Sequence, residues 1–113
     1  MKSKIALAFK KCEKEKRPAL ITYIVAGDNT KSNSFKMLNA ISKHSDILEV
    51  GFPHNTPIAD GGQIQESSHR ALKNGIKLKD VFQIVNKFKK SSPNKPLILM
   101  GYFNLIYQSG EDN

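Results

Sequence analysis

What most constrains this chain is the order in which helical and strand periodicities follow one another. Residues 2–17 place Ile5, Ala8, Phe9 and Cys12 at helical spacing among lysines, so they read as an amphipathic helix that Pro18 stops. Residues 19–26, ALITYIVA, run almost continuously apolar and β-branched, the pattern of a strand covered on both faces. Gly27-Asp28-Asn29 is turn chemistry, and Thr30 or Ser32 can cap a helix that carries Phe35, Leu38 and Ile41 on one side. A second short strand, ILEVG at 47–51, leads into a loop over 52–62 with two prolines. The next helix runs from about Gln63 to Lys73 and ends at Asn74-Gly75, where glycine suits a left-handed cap. Leu78, Val81, Phe82, Val85 and Phe88 recur at helical spacing over 78–90, and residues 91–95 break the pattern. Residues 96–101, PLILMG, read as a third buried strand, with a further helix expected from Asn104.

Strands alternating with helices require crossover connections, hence a parallel sheet and an α/β protein. Three strands form a small sheet with two open hydrophobic edges, and open edges invite pairing or aggregation. The expectation is a single domain over residues 1–113 that is the first part of a longer protein, with strands completed further along the chain. No internal repeat or low-complexity segment is visible.

Composition narrows the possibilities. With 39% hydrophobic and 25% charged residues the chain is too apolar for intrinsic disorder. A single cysteine, Cys12, excludes an internal disulfide, a zinc ribbon or a redox pair, and on the apolar face of its helix it reads as a small core residue. No run approaches the ~20 apolar residues of a membrane span, and Ile5–Phe9 is too short for a secretory leader. These features point to a soluble chain in a reducing, cytoplasmic setting. Of the eighteen basic residues, seven lie within the first 17 positions against two acidic ones. That cluster could touch nucleic acid, but it interleaves with an amphipathic helix and has no aromatic platform, so a solvated face is the better reading. His44, His54 and His69 show neither an i,i+4 pair nor a carboxylate at ligand spacing, which argues against a metal site.

Glu49 breaks its local rule, since a buried parallel strand wants apolar side chains on either side of Leu48 and Val50. Burying a carboxylate costs free energy unless it is partnered or neutral, and desolvation favours the protonated form, the direction useful for general acid–base work. Glu49 also lies near the C-terminal end of its strand, where α/β folds place their sites. It can equally face a polar gap or pair with a lysine. Asp60 follows eleven residues later in the loop leaving the same strand. Two carboxylates converging on one pocket allow one to stay ionised while the other holds a proton; an ordinary loop aspartate or a helix N-cap is the plainer alternative. Tyr102 ends the third strand and either faces a site or packs half-buried. Gly61-Gly62 before a helix is a weak anion-binding signal.

Leu48-Glu49-Val50-Gly51-Phe52-Pro53 followed by Pro57-Ile58-Ala59-Asp60-Gly61 resembles the signature of the tryptophan synthase alpha chain family. The likeness extends to Tyr23…Gly27-Asp28, to Ile64-Gln65 and Arg70-Ala71-Leu72…Gly75, and to Leu99-Met100-Gly101-Tyr102-Phe103-Asn104, covering about residues 19–110. It departs at His54-Asn55-Thr56, where members read Phe-Ser-Asp. The aspartate of that triplet belongs to the surface through which the alpha chain signals to the beta chain. Leu105 stands where many relatives carry proline.

The resemblance implies the N-terminal part of a (β/α)8 barrel of about 250 residues, whose phosphate site comes from loops after strands 7–8 and so falls beyond Asn113. It implies retro-aldol cleavage of indole-3-glycerol phosphate to indole and glyceraldehyde 3-phosphate. Glu49 would be the general acid–base group and Asp60 the ionised partner of the indole N–H, while Tyr23 and Tyr102 would line the indole pocket. It implies no metal or organic cofactor for this half-reaction, the pyridoxal phosphate belonging to the partner beta chain of an α2β2 complex. The competing reading is a non-catalytic barrel fragment that binds a partner protein.

Overall fold

The computed structural model describes residues 3–54 and 61–101. The elements run α1 (Lys4–Lys14), β1 (Ile21–Val25), α2 (Lys31–Ser42), β2 (Ile47–Gly51), α3 (Gly62–Lys73), α4 (Leu78–Ser91) and β3 (Leu97–Met100). The order matches the alternation of periodicities in the sequence, with boundaries moved by a few residues as helix ends fray. The strands form one sheet in the order β1-β2-β3, and both pairings are parallel. The helix expected from Asn104 lies outside the described residues.

Local chemistry accounts for several boundaries. Thr30 caps α2 by accepting from the Asn33 amide at 3.0 Å, satisfying one of the donors that a helix start leaves open. Gly75, just past the end of α3, has φ +80°, the left-handed conformation glycine adopts without penalty. Gly27 also has φ +85°, and a Cβ there would lie 2.5 Å from Ile76, so both conformation and space exclude a larger residue.

Most of the core lies on one side of the sheet; Val25 of β1, on the face of Gly51, joins the same buried cluster and Tyr23 packs against it. Leu48 and Val50 of β2 join Leu38 of α2, Ala71 of α3, and Val81, Ile84 and Phe88 of α4 in a single buried cluster, with Ile24 and Leu97 packed against it. Leu38, Leu48, Val50, Val81 and Phe88 are all fully buried, and each such side chain contributes ~1.5–3 kcal/mol of transfer free energy.

Burial departs from the apolar spacing in three places. The apolar face of α1 buries only Cys12, while Ile5 and Phe9 remain exposed. Phe82 leaves the core and is 41% exposed, meeting Phe52 edge-on at 5.6 Å between ring centroids, and Ile84 takes the core position. Strand β1 is not covered along its whole length: Ile21 is exposed, Thr22, Tyr23 and Ile24 are half-buried, and Val25 is buried.

Three aspartates fasten the elements together. The Arg17 guanidinium grips Asp46 through two bonds of 2.8 and 2.9 Å, and Asp46 also accepts from the Leu20 amide, tying the exit of α1 to the starts of β1 and β2. Arg70 of α3 likewise holds Asp28 at 2.8 and 2.9 Å, with Ser67 donating to the same carboxylate. Asp80 accepts from Lys31 Nζ and from the Lys77 amide, both at 2.9 Å. In each case the hydrogen bond from the cationic side chain is the main cause holding the carboxyl below its usual range. A carboxyl whose pKa is depressed by folding stabilises the protein above its unfolded value and loses that contribution as pH falls through the folded value. Stability is therefore expected to stay level from pH 7 to about 5 and to drop below about pH 4, the unfolded carboxylate range. The urea midpoint of the full-length protein at successive pH values measures this; a flat profile down to pH 3 would contradict it.

Candidate active site

The period-2 alternation of a strand sends Glu49 away from its neighbours. Leu48 and Val50 point into the helix-covered core, and Glu49 stands on the opposite face of the central strand. There it is half-buried, less enclosed than a strand covered on both faces would make it. In register it lies between Tyr23 of β1 and Ile98 of β3, so an aromatic and an aliphatic residue flank the carboxylate across the sheet. One step toward the C-terminal ends, Gly51 lies between Val25 and Met100. Among the described residues no lysine or arginine pairs with Glu49, which sets aside the ion-pair alternative.

Tyr23 shares that face. A Cβ built on Gly51 would lie 2.6 Å from the ring carbon Cζ of Tyr23 and closer still to its hydroxyl, so the phenol reaches from β1 across to the end of β2. Gly101 receives Phe52 in the same way, at 2.6 Å. Sequence reasoning missed Gly51, Ile98 and Met100 as parts of this surface. The alternation in PLILMG places Ile98 and Met100 on one face, but only the register brings them opposite Glu49 and Gly51. Of the remaining predicted site residues, Asp60 and Tyr102 lie outside the described residues. His54, at the departure from the family signature, is buried.

Clefts formed by described residues elsewhere in the molecule do not include Glu49. One of about 520 Å³ lies between α2 and the Asp28–Arg70 pair, and one of about 400 Å³ lies between α1 and the residues just before β3. Cys12 of α1 is buried, which pushes its thiol pKa up and makes it an inert core group. Among the described residues no three metal-ligating side chains gather, and no helix is long and apolar enough to cross a membrane.

Consecutive parallel strands in the order β1-β2-β3 with helices packed on one face fit a segment of a (β/α)8 barrel. A family model described as "Tryptophan synthase alpha chain" matches residues 9–113, and the chain belongs to that family. The chain is 68% identical over 111 residues to the tryptophan synthase alpha chain of Pelagibacter ubique, covering 98% of this chain and 42% of that one. It is 45% identical over 95 residues to the Pyrococcus furiosus alpha chain, covering 84% and 38%. The crystal structure of the Legionella pneumophila alpha subunit superposes with TM-score 0.93 at 34% identity, covering 99% of this chain and 43% of that one. The sequence thus spans less than half the length of these relatives.

Proposed function

We propose that these residues supply the acid–base part of the active site of a tryptophan synthase alpha chain, which cleaves indole-3-glycerol phosphate into indole and glyceraldehyde 3-phosphate. The observation that carries the reading is Glu49, placed mid-strand on the face opposite the helix-packed core and opposed in register by Tyr23 and Ile98. In the retro-aldol step, Glu49 moves protons between indole C3 and the glycerol hydroxyl next to it. Protonated C3 draws in the electron pair of the breaking carbon–carbon bond, restoring aromatic indole, while the deprotonated hydroxyl becomes the aldehyde carbonyl. Asp60 stays ionised and holds the indole N–H, stabilising the positive charge that C3 protonation creates. Tyr23 and Tyr102 line the indole ring.

Residues 1–113 act as part of one domain, with the phosphate held by loops further along the barrel, so that this portion alone is inactive. The partner is the tryptophan synthase beta chain, and the setting is cytoplasmic. A titration of indole-3-glycerol phosphate into the full-length protein, followed by an assay for released indole, tests the reading. Saturable binding with indole release is expected. No binding and no release would overturn it in favour of a barrel that only docks a partner protein.

A further inference from the structure

We propose that Gly51 and Tyr23 form a positioning unit for Glu49, in which the absence of a side chain at 51 allows the Tyr23 phenol to lie beside the carboxylate. The inference rests on the reading of Glu49 as the acid–base residue.

Glycine at 51 is required by space. The positive-φ glycines of the described residues are Gly27 and Gly75; Gly51 is not among them, so its backbone makes no conformational demand for glycine. Its surroundings do. A Cβ at 51 would lie 2.6 Å from Tyr23 Cζ and 3.0 Å from Cε2, which are atoms of a rigid ring. By contrast, a Cβ at Gly61 or Gly62 would meet nothing within 4 Å.

The clash also locates the ring. A Cβ on Gly51 points to the same face as the side chain of Glu49, two residues earlier on β2. Tyr23 is the direct register partner of Glu49, yet its phenol ends over Gly51. The ring therefore runs diagonally, starting opposite Glu49 and reaching toward the C-terminal ends of the strands. This makes it a wall on the β1 side of the carboxylate, with Ile98 on the β3 side. A glutamate with three rotatable bonds, held between two such walls, keeps fewer rotamers, and a proton-transferring group gains rate from that orientation.

A methyl group at 51 would push the phenol off β2 and release Glu49 to other rotamers. The test is a double-mutant cycle in the full-length chain with Gly51→Ala, Tyr23→Leu and the pair, reading kcat and KM for indole release and the pH dependence of kcat. Gly51→Ala is expected to lower kcat about tenfold or more with a smaller change in KM, and to move the acidic limb of the pH profile. In the Tyr23→Leu background the same substitution is expected to change kcat less than about twofold, because no ring remains to displace. Should Gly51→Ala fold poorly, the double variant still reports, since shortening Tyr23 removes the clash and is expected to restore folding. Equal losses from Gly51→Ala in both backgrounds, or a KM effect with unchanged kcat and pH profile, would overturn the proposal. Full turnover in Glu49→Gln would instead remove the acid–base reading on which it rests, so the two failures are separable.

Discussion

Replacing Glu49 by glutamine in the full-length chain is expected to lower indole release from indole-3-glycerol phosphate by about 10²–10⁴-fold, the range typical of a lost general acid–base group. The amide keeps the size and shape of the side chain but cannot exchange a proton at the reaction pH. Because the substitution sits opposite the helix-packed core, at a half-buried position with no ion pair among the described residues, folding is expected to be unaffected. Substrate affinity should change by no more than a few fold, since what is lost is a contribution to the transition state. Turnover equal to the parent would sink the role given to Glu49. Weakened binding with unchanged kcat would make it a binding residue.

Phe88→Ala is expected to produce the largest loss of stability among single substitutions in the described core, about 3–5 kcal/mol for truncating a buried phenylalanine. Phe88 is the largest of the fully buried side chains, and it belongs to the cluster that joins α2, α3 and α4 to β2. Removing the ring opens a cavity that neighbouring side chains fixed on packed helices and strands cannot fill by collapsing. Against a total of roughly 5–15 kcal/mol for a domain, such a loss leaves a marginal protein. The urea midpoint of the full-length variant measures it, with Phe82→Ala as the comparison. Phe82 is 41% exposed and meets only the edge of Phe52 in a ring contact, so its truncation should cost much less. Equal costs at positions 82 and 88 would mean that the assignment of core and surface on α4 is wrong.

The two positions also mark how far helical periodicity could be read. Spacing identified α4 and its apolar stripe, but a stripe of Leu78, Val81, Phe82, Val85 and Phe88 is wider than the surface that the sheet and α2 can cover. Which edge stays outside is decided by the angle at which the helix packs, and Phe82 fell outside while Ile84 went in. The same holds for α1, whose apolar spacing was legible while the burial of Cys12 alone was not. Amphipathicity states which face seeks cover; it does not supply the cover.

The alternation of helices and strands, the left-handed turn at Gly75 and the cap at Thr30 were legible in the sequence because each is set within a few residues by side-chain periodicity, backbone sterics and short hydrogen bonds. The anomaly of Glu49 was legible too, because a carboxylate between Leu48 and Val50 must face a different environment from theirs. What surrounds it was not. The register of β1 and β3 against β2 sets Tyr23 and Ile98 on either side of Glu49, and the diagonal path of the Tyr23 ring is what forbids a side chain at 51. Register joins residues more than twenty positions apart. It is chosen by the packing of every helix and strand at once, so no local window of the chain contains it, and only the tertiary structure could decide it.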